Sequence, residues 1–190
     1  MDSSARASAK KSGVESIAQV EMTLTINESR YSVAVRPYDV LLDILRERLH
    51  LTGTRRGCDM GTCGCCTVLL DGRPVLACLT LALRADGCAV RTIEGVAGGG
   101  GLHPVQRSFV RCGATQCGFC TPGFIMSAVS LLERTRDPSD DEIREAIAGN
   151  MCRCTGYVTI IEAIREAART MREQGDSGKR DLPAGGAVGP

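Results

Sequence analysis

The chain has no tryptophan, and aromatic residues fill only 3% of its 190 positions, so its cores have to be built from Val, Ile, Leu, Ala and Met. A surplus of charge is also missing. Lys and Arg number 23 against 22 Asp and Glu, for a net charge of +1, which excludes the large positive field of a general nucleic-acid binder. No apolar run approaches the roughly 20 residues of a membrane helix, so no membrane span is expected. The first 20 residues are polar, with neither the apolar core of a secretion signal nor a twin-arginine pair. Histidine is scarce, His50 and His103 being the only two, and there is no G-x-G-x-x-G or P-loop pattern. These absences leave no Ser/His/Asp constellation and no nucleotide cradle of that type. Each histidine is expected to be a capping or surface residue rather than a catalyst.

Cysteine is what the chain has in excess: 11 residues, an odd number. An odd count fits poorly with a full set of intrachain disulfides, and together with the polar start it points to a reducing compartment, the cytoplasm, where dense cysteine usually means metal. Eight of the eleven form two sets of four. The first is Cys58-x4-Cys63-x2-Cys66 followed, after eleven residues, by Cys78. This is the plant-type spacing for a [2Fe–2S] cluster, three ligands from one loop and the fourth from beyond a hairpin. Gly57, Gly61 and Gly64 allow that loop to turn tightly and bring backbone N–H groups toward sulfur. Four thiolates also suit zinc, although zinc sites normally pair two short Cys-x-x-Cys knuckles. The second set is Cys117-x2-Cys120 and, 31 residues on, Cys152-x-Cys154. Alone it could hold zinc or cycle as dithiols. Pro122 and Gly123 open one helical pattern, however, and Gly149 and Asn150 close another, so both pairs should sit at helix ends with one cluster between them. Cys65, Cys88 and Cys112 are expected to be small buried hydrophobes, with Cys65 pointing away from the cluster.

Residues 1–19 and 175–190 read as flexible tails. Residues 22–26 and 31–35 alternate apolar and polar positions around a turn at 27–30, a hairpin. Val40, Leu41, Ile44, Leu45 and Leu49 recur at helical spacing. Residues 67–70 and 74–78 flank Asp71-Gly72, a second hairpin, and residues 88–93 supply a last strand. A four-glycine hinge at 98–101 ends the strand-forming part. Helices are expected from His103-Pro104 to about 112, from 121 to about 135, after the Ser139/Glu142 capping box, and over about 159–173. The domains are therefore expected at 20–97 and 102–174, in an α+β chain whose second part is a four-helix bundle.

The stretches GCDMGTCGCCTVLLDG, LHPVQRSFVRCGATQCGFCTPGFIMS and GNMCRCTGY resemble the small iron–sulfur subunit of the molybdenum hydroxylases, the xanthine oxidase family, over about residues 20–173. The resemblance implies an N-terminal β-grasp, plant-type ferredoxin-like domain and a C-terminal four-helix bundle. It implies that Cys58, Cys63, Cys66 and Cys78 ligate one [2Fe–2S] cluster and Cys117, Cys120, Cys152 and Cys154 another, the second lying closer to the molybdenum cofactor. Gln116 and Cys154 match residues that contact the pterin in relatives. The implied partners are a large molybdopterin subunit and a medium FAD subunit, with this chain carrying electrons one at a time between them. Cys65 stands where Ala is common in the family, and Cys112 where His is common. Two other readings compete, a stand-alone ferredoxin or redox sensor and a zinc-stabilised interaction module.

Overall fold

The structure, a computed structural model, describes residues 18–98 and 101–174. The expected tails lie outside the described residues except for positions 18 and 19, as do positions 99 and 100 of the glycine hinge. On either side of those two, the Gly101 N–H donates to the Gly98 carbonyl at 3.1 Å.

Alternating apolar residues make the first hairpin, β1 (Val20–Ile26) and β2 (Ser29–Val35), with Met22 opposite Val33 and Leu24 opposite Tyr31. Its turn is tighter than expected. Only Asn27 and Glu28 form it, both left-handed at φ 47° and 71°, a two-residue geometry whose twist matches that of the flanking strands. The Asn27 side chain then accepts from Thr92 N–H and donates to Thr92 Oγ1, both at 2.9 Å, pinning the turn to a segment 65 residues away. The second hairpin, β3 (Thr67–Leu70) and β4 (Arg73–Leu76), turns on Asp71 and Gly72 as expected. Strand β5 (Ala89–Arg91) is shorter than the expected 88–93 and inserts between the hairpins, parallel to β1 and antiparallel to β3. The result is a five-stranded mixed sheet in the order β2-β1-β5-β3-β4.

The helical spacing after β2 produces something other than a regular helix. One α turn, α1 (Leu41–Asp43), widens into a π-helix over Ile44–Arg48, in which Leu49 N–H reaches Ile44 O at 3.1 Å. The chain then reverses at His50 (φ 57°), and Leu51 N–H bonds back to Leu45 O at 2.8 Å. The apolar positions are still buried, Leu41, Leu42, Ile44 and Leu45 being almost fully covered by the sheet. Periodicity predicts which side chains go inside; it does not distinguish ladder types that share nearly the same face.

Four α-helices follow: α2 (Pro104–Arg111), α3 (Thr121–Arg134), α4 (Asp140–Ile147) and α5 (Val158–Glu173). Ser139 and Glu142 form the expected capping box at α4. His103 caps α2: its Nδ1 accepts from Val105 N–H at 3.2 Å, and its own N–H donates to Gln106 Oε1 at 2.9 Å.

Two apolar cores result, one under the sheet and one among the helices. Strand β3 belongs to both. Val68 faces the first core and Leu69, only 1% exposed, the second, and this two-sided burial is why β3 is a continuous apolar run rather than an alternating one. Helix α3 is the other shared element. Residues 123–132 are buried without interruption, so the helix is apolar all round and lies between the sheet and the remaining helices.

His103 gives this architecture a pH dependence. Burial lowers the pKa of its imidazole from the ordinary 6.5, so the unfolded chain binds a proton more readily than the folded one. The cap's contribution is fully present above pH 6.5 and is lost as pH falls through the lowered value. His103→Asn should keep the cap and flatten stability between pH 7 and 5, whereas His103→Ala should cost about 1 kcal/mol at pH 7; denaturant unfolding across that range measures both.

Candidate iron–sulfur centres

Residues 57–66 form the first cysteine loop, and Cys78 closes the set after β4. Asp59, Gly61 and Gly64 have φ of 55°, 76° and 68°. The loop is held from outside by Arg56, whose guanidinium grips both Asp59 oxygens (2.8 and 2.9 Å) and also bonds Asp43. Gly57 is needed for close approach, since a Cβ there would lie 2.7 Å from Cys63 Sγ. The thiols come in pairs. Cys58 is in contact with Cys63, and Met60 N–H donates to Cys58 Sγ at 3.5 Å; that bond, with further ones from the Cys63 N–H and thiol, brings the Cys58 pKa down to about 7. Cys66 meets Cys78 in the interior, where burial pushes the Cys66 thiol up to about 12.

The second set is also paired. Cys120, at the N-cap of α3, contacts Cys152, while Cys117 contacts Cys154. Burial pushes Cys120 up to about 12. Burial would raise Cys152 too, but Thr155 donates to its sulfur from both N–H (3.4 Å) and Oγ1 (3.1 Å) and holds it below the usual thiol value. Cys117 and Cys154 are exposed. The loop owes its shape to Tyr157, a non-glycine residue at φ 69°. Its ring packs edge-on against Phe124, with centroids 5.9 Å apart, and its hydroxyl accepts from Cys152 N–H at 2.9 Å.

Among the described residues, no group of three or more His, Cys, Asp or Glu side chains is gathered tightly enough for a single metal ion. Two thiol pairs per set suit a binuclear centre, in which each iron takes two protein ligands. The donor chemistry fits as well: four thiols in each set, Gly-rich backbone, and N–H groups already directed at sulfur.

The two loops meet. The Asn150 side chain, 4% exposed, donates from Nδ2 to Gly64 O at 2.9 Å and accepts on Oδ1 from Ser127 Oγ at 2.7 Å, while Met151 N–H donates to Cys63 O at 2.9 Å. Gly123 completes the contact, with a would-be Cβ 2.3 Å from Gly64 O.

Comparison with known proteins identifies the arrangement. A profile for the "2Fe-2S iron-sulfur cluster binding domain" matches residues 24–86, and one for the "[2Fe-2S] binding domain" matches residues 92–165. The nicotine 6-hydroxylase small subunit of Paenarthrobacter nicotinovorans is 49% identical over 149 residues, spanning 78% of this chain and 90% of that one. The nicotinate dehydrogenase small FeS subunit of Eubacterium barkeri is 45% identical, spanning 78% and 95%. Quinoline 2-oxidoreductase from Pseudomonas putida 86 superposes with a TM-score of 0.77 at 47% identity, covering 82% of this chain and 97% of that one. This chain belongs to the small iron–sulfur subunits of the molybdenum hydroxylases. It is an electron-transfer subunit of an oxidoreductase, with two [2Fe–2S]-binding domains.

In this small subunit, exposed Gln116 donates from Nε2 to Cys154 O at 3.1 Å, so the two residues matched to pterin contacts lie side by side. Cys88 and Cys112 are half-buried, Cys88 donating to the carbonyls of Arg84 and Asp86 at 3.6 Å. Cys65 is buried as expected but does not point away. Its Sγ turns toward Cys63 O at 3.8 Å and feels the Cys63, Cys120 and Cys66 thiols, because Gly57 leaves room beside it. The roles of Asn150, Ser127, Thr155 and Tyr157 had no signal of their own in the sequence: Asn150 reads there as a helix terminator, and all four lie within the stretches GFCTPGFIMS and GNMCRCTGY.

The meeting of the loops predicts unequal glycine tolerance. Gly123→Ala should destabilise the iron-loaded protein by about 1–3 kcal/mol through overpacking. Gly149→Ala, where a Cβ meets nothing within 4 Å, should stay within about 0.5 kcal/mol of the parent. Denaturant unfolding of the two variants side by side checks the contrast.

Proposed function

We propose that Cys58, Cys63, Cys66 and Cys78 hold one [2Fe–2S] cluster and Cys117, Cys120, Cys152 and Cys154 a second, and that this chain passes single electrons between a molybdopterin subunit and an FAD subunit or another acceptor. One observation carries the proposal: eight cysteines gathered into two sets of two thiol pairs, on loops that touch each other. Each cluster, when bound, takes up and gives back one electron.

The protein's own residues define the route. Exposed Cys117 and Cys154, with Gln116 beside them, present the second set to the surface, which supports Gln116 and Cys154 as the contact to the pterin. Cys66 and Cys78 are buried against the sheet core and stand farther along the chain of contacts. Phe119, Met151 and Val158 are exposed around the second set, an apolar rim suited to a large partner subunit. We take residues 20–97 as a β-grasp, ferredoxin-like domain and residues 102–174 as a four-helix bundle, joined by the 98–101 linker, since each has its own core. No helix among the described residues is long and apolar enough to cross a membrane; we take the complex to be cytoplasmic, because eleven cysteines with two proposed cluster sets suit a reducing compartment.

The purified complex should contain about four iron and four acid-labile sulfide per copy of this chain, two centres with four thiolates each. Two iron and one zinc would overturn the assignment of the second set. In the complex reduced anaerobically with substrate, Cys63→Ser should remove one iron EPR signal and leave the molybdenum signal unchanged. Cys154→Ser should remove the other iron signal and also perturb the molybdenum signal. The opposite pattern would reverse the order of the two sets.

A further inference from the structure

The contact between the loops joins the two electron-carrying sites through very few atoms. Cys63, a proposed ligand of one set, offers its carbonyl to the N–H of Met151, whose peptide leads directly into Cys152 of the other. The amide of Asn150 sits behind this bond, bound to Gly64 O on the sheet side and to Ser127 on α3. An amide buried to this extent is retained only if both ends are satisfied, and its two partners come from opposite halves of the molecule. Gly64 and Gly123 allow the backbones close enough for the bond to form.

We propose that Asn150, oriented by Ser127, is a positioning residue for electron transfer between the two clusters: it holds the Cys63 O···H–N Met151 bond closed, and that bond is the bridge across which the electron passes. The proposal rests on the ligand assignment above. The step is a transfer of one electron from the Cys117/Cys120/Cys152/Cys154 site, which is oxidised, to the Cys58/Cys63/Cys66/Cys78 site, which is reduced. No covalent bond changes and no proton moves. The role of Asn150 is geometric, because a carboxylate or a methyl group there cannot donate to Gly64 O and would let the two loops separate.

The test uses the intact complex with Asn150→Asp and, independently, Ser127→Ala. Three quantities are read: iron and sulfide content, hydrogen exchange at the Met151 amide, and the mutual splitting of the two reduced-cluster EPR signals together with the inter-cluster transfer rate after rapid reduction. Both centres should remain, exchange should become about tenfold faster through loss of one buried hydrogen bond, the splitting should narrow and transfer should slow. Unchanged splitting and rate with both centres present would overturn the inference, and so would loss of a centre in both variants, since Asn150 would then serve assembly rather than transfer. A parent complex with fewer than two iron EPR centres would instead overturn the ligand assignment.

Discussion

The two cysteine loops depend on a close approach of backbones around Gly64 and Gly123, where a Cβ would lie 2.3 Å from the carbonyl oxygens of Gly149 and Gly64 respectively. The direct contact between the two cysteine loops follows from it. The first cysteine loop can lie against the start of α3 only because Gly123 carries no Cβ, and against residues 149–150 only because Gly64 carries none; the buried Asn150 then satisfies polar groups that the contact removes from water. With the loops fixed in this way, the two thiol sets have a defined separation.

The rest of the fold supports that contact from both sides. Strand β3 leads straight out of the first loop and is buried on both faces, so the loop is anchored to both cores at once. Helix α3, with Cys120 at its N-cap, passes Gly123 and Ser127 and is buried as far as Leu132. Between the halves, Nη2 of Arg91 on β5 donates to both carboxylate oxygens of Glu133 on α3 at 2.7 Å. An exposed pair of this kind contributes less than about 1 kcal/mol, so alignment of the halves depends mainly on shared burial. The same rigidity serves the function, since single-electron transfer requires fixed distances and no large motion of the chain.

The environments of the thiols divide along similar lines. Cys58 is drawn toward its ionised form by N–H donors, and Cys66 and Cys120 are held in their neutral form by burial. Iron held there would have to displace the protons of Cys66 and Cys120, the first of them buried and the second partly so. The exposed members of the second set, Cys117 and Cys154, sit beside Gln116 and an apolar rim, in keeping with a site that is completed by a partner.

Spacing alone determined a good deal. The plant-type run at Cys58, Cys63 and Cys66, the Asp71-Gly72 hairpin, the Ser139/Glu142 box and the four helices after Leu102 are short-range features, set by turn chemistry, capping and periodicity within a few residues. What lay beyond reach was long-range or cooperative: the two-residue turn stapled to Thr92, the π-helical stretch before His50, the inward turn of Cys65, and above all the Asn150 bridge between residues 86 positions apart. A buried amide carries no periodic signal, and Gly64 reads in sequence as a turn residue. Only when the sheet and the helices pack does that glycine become a point of contact between the two sites, because its need for empty space is created by a neighbour that the local sequence does not contain.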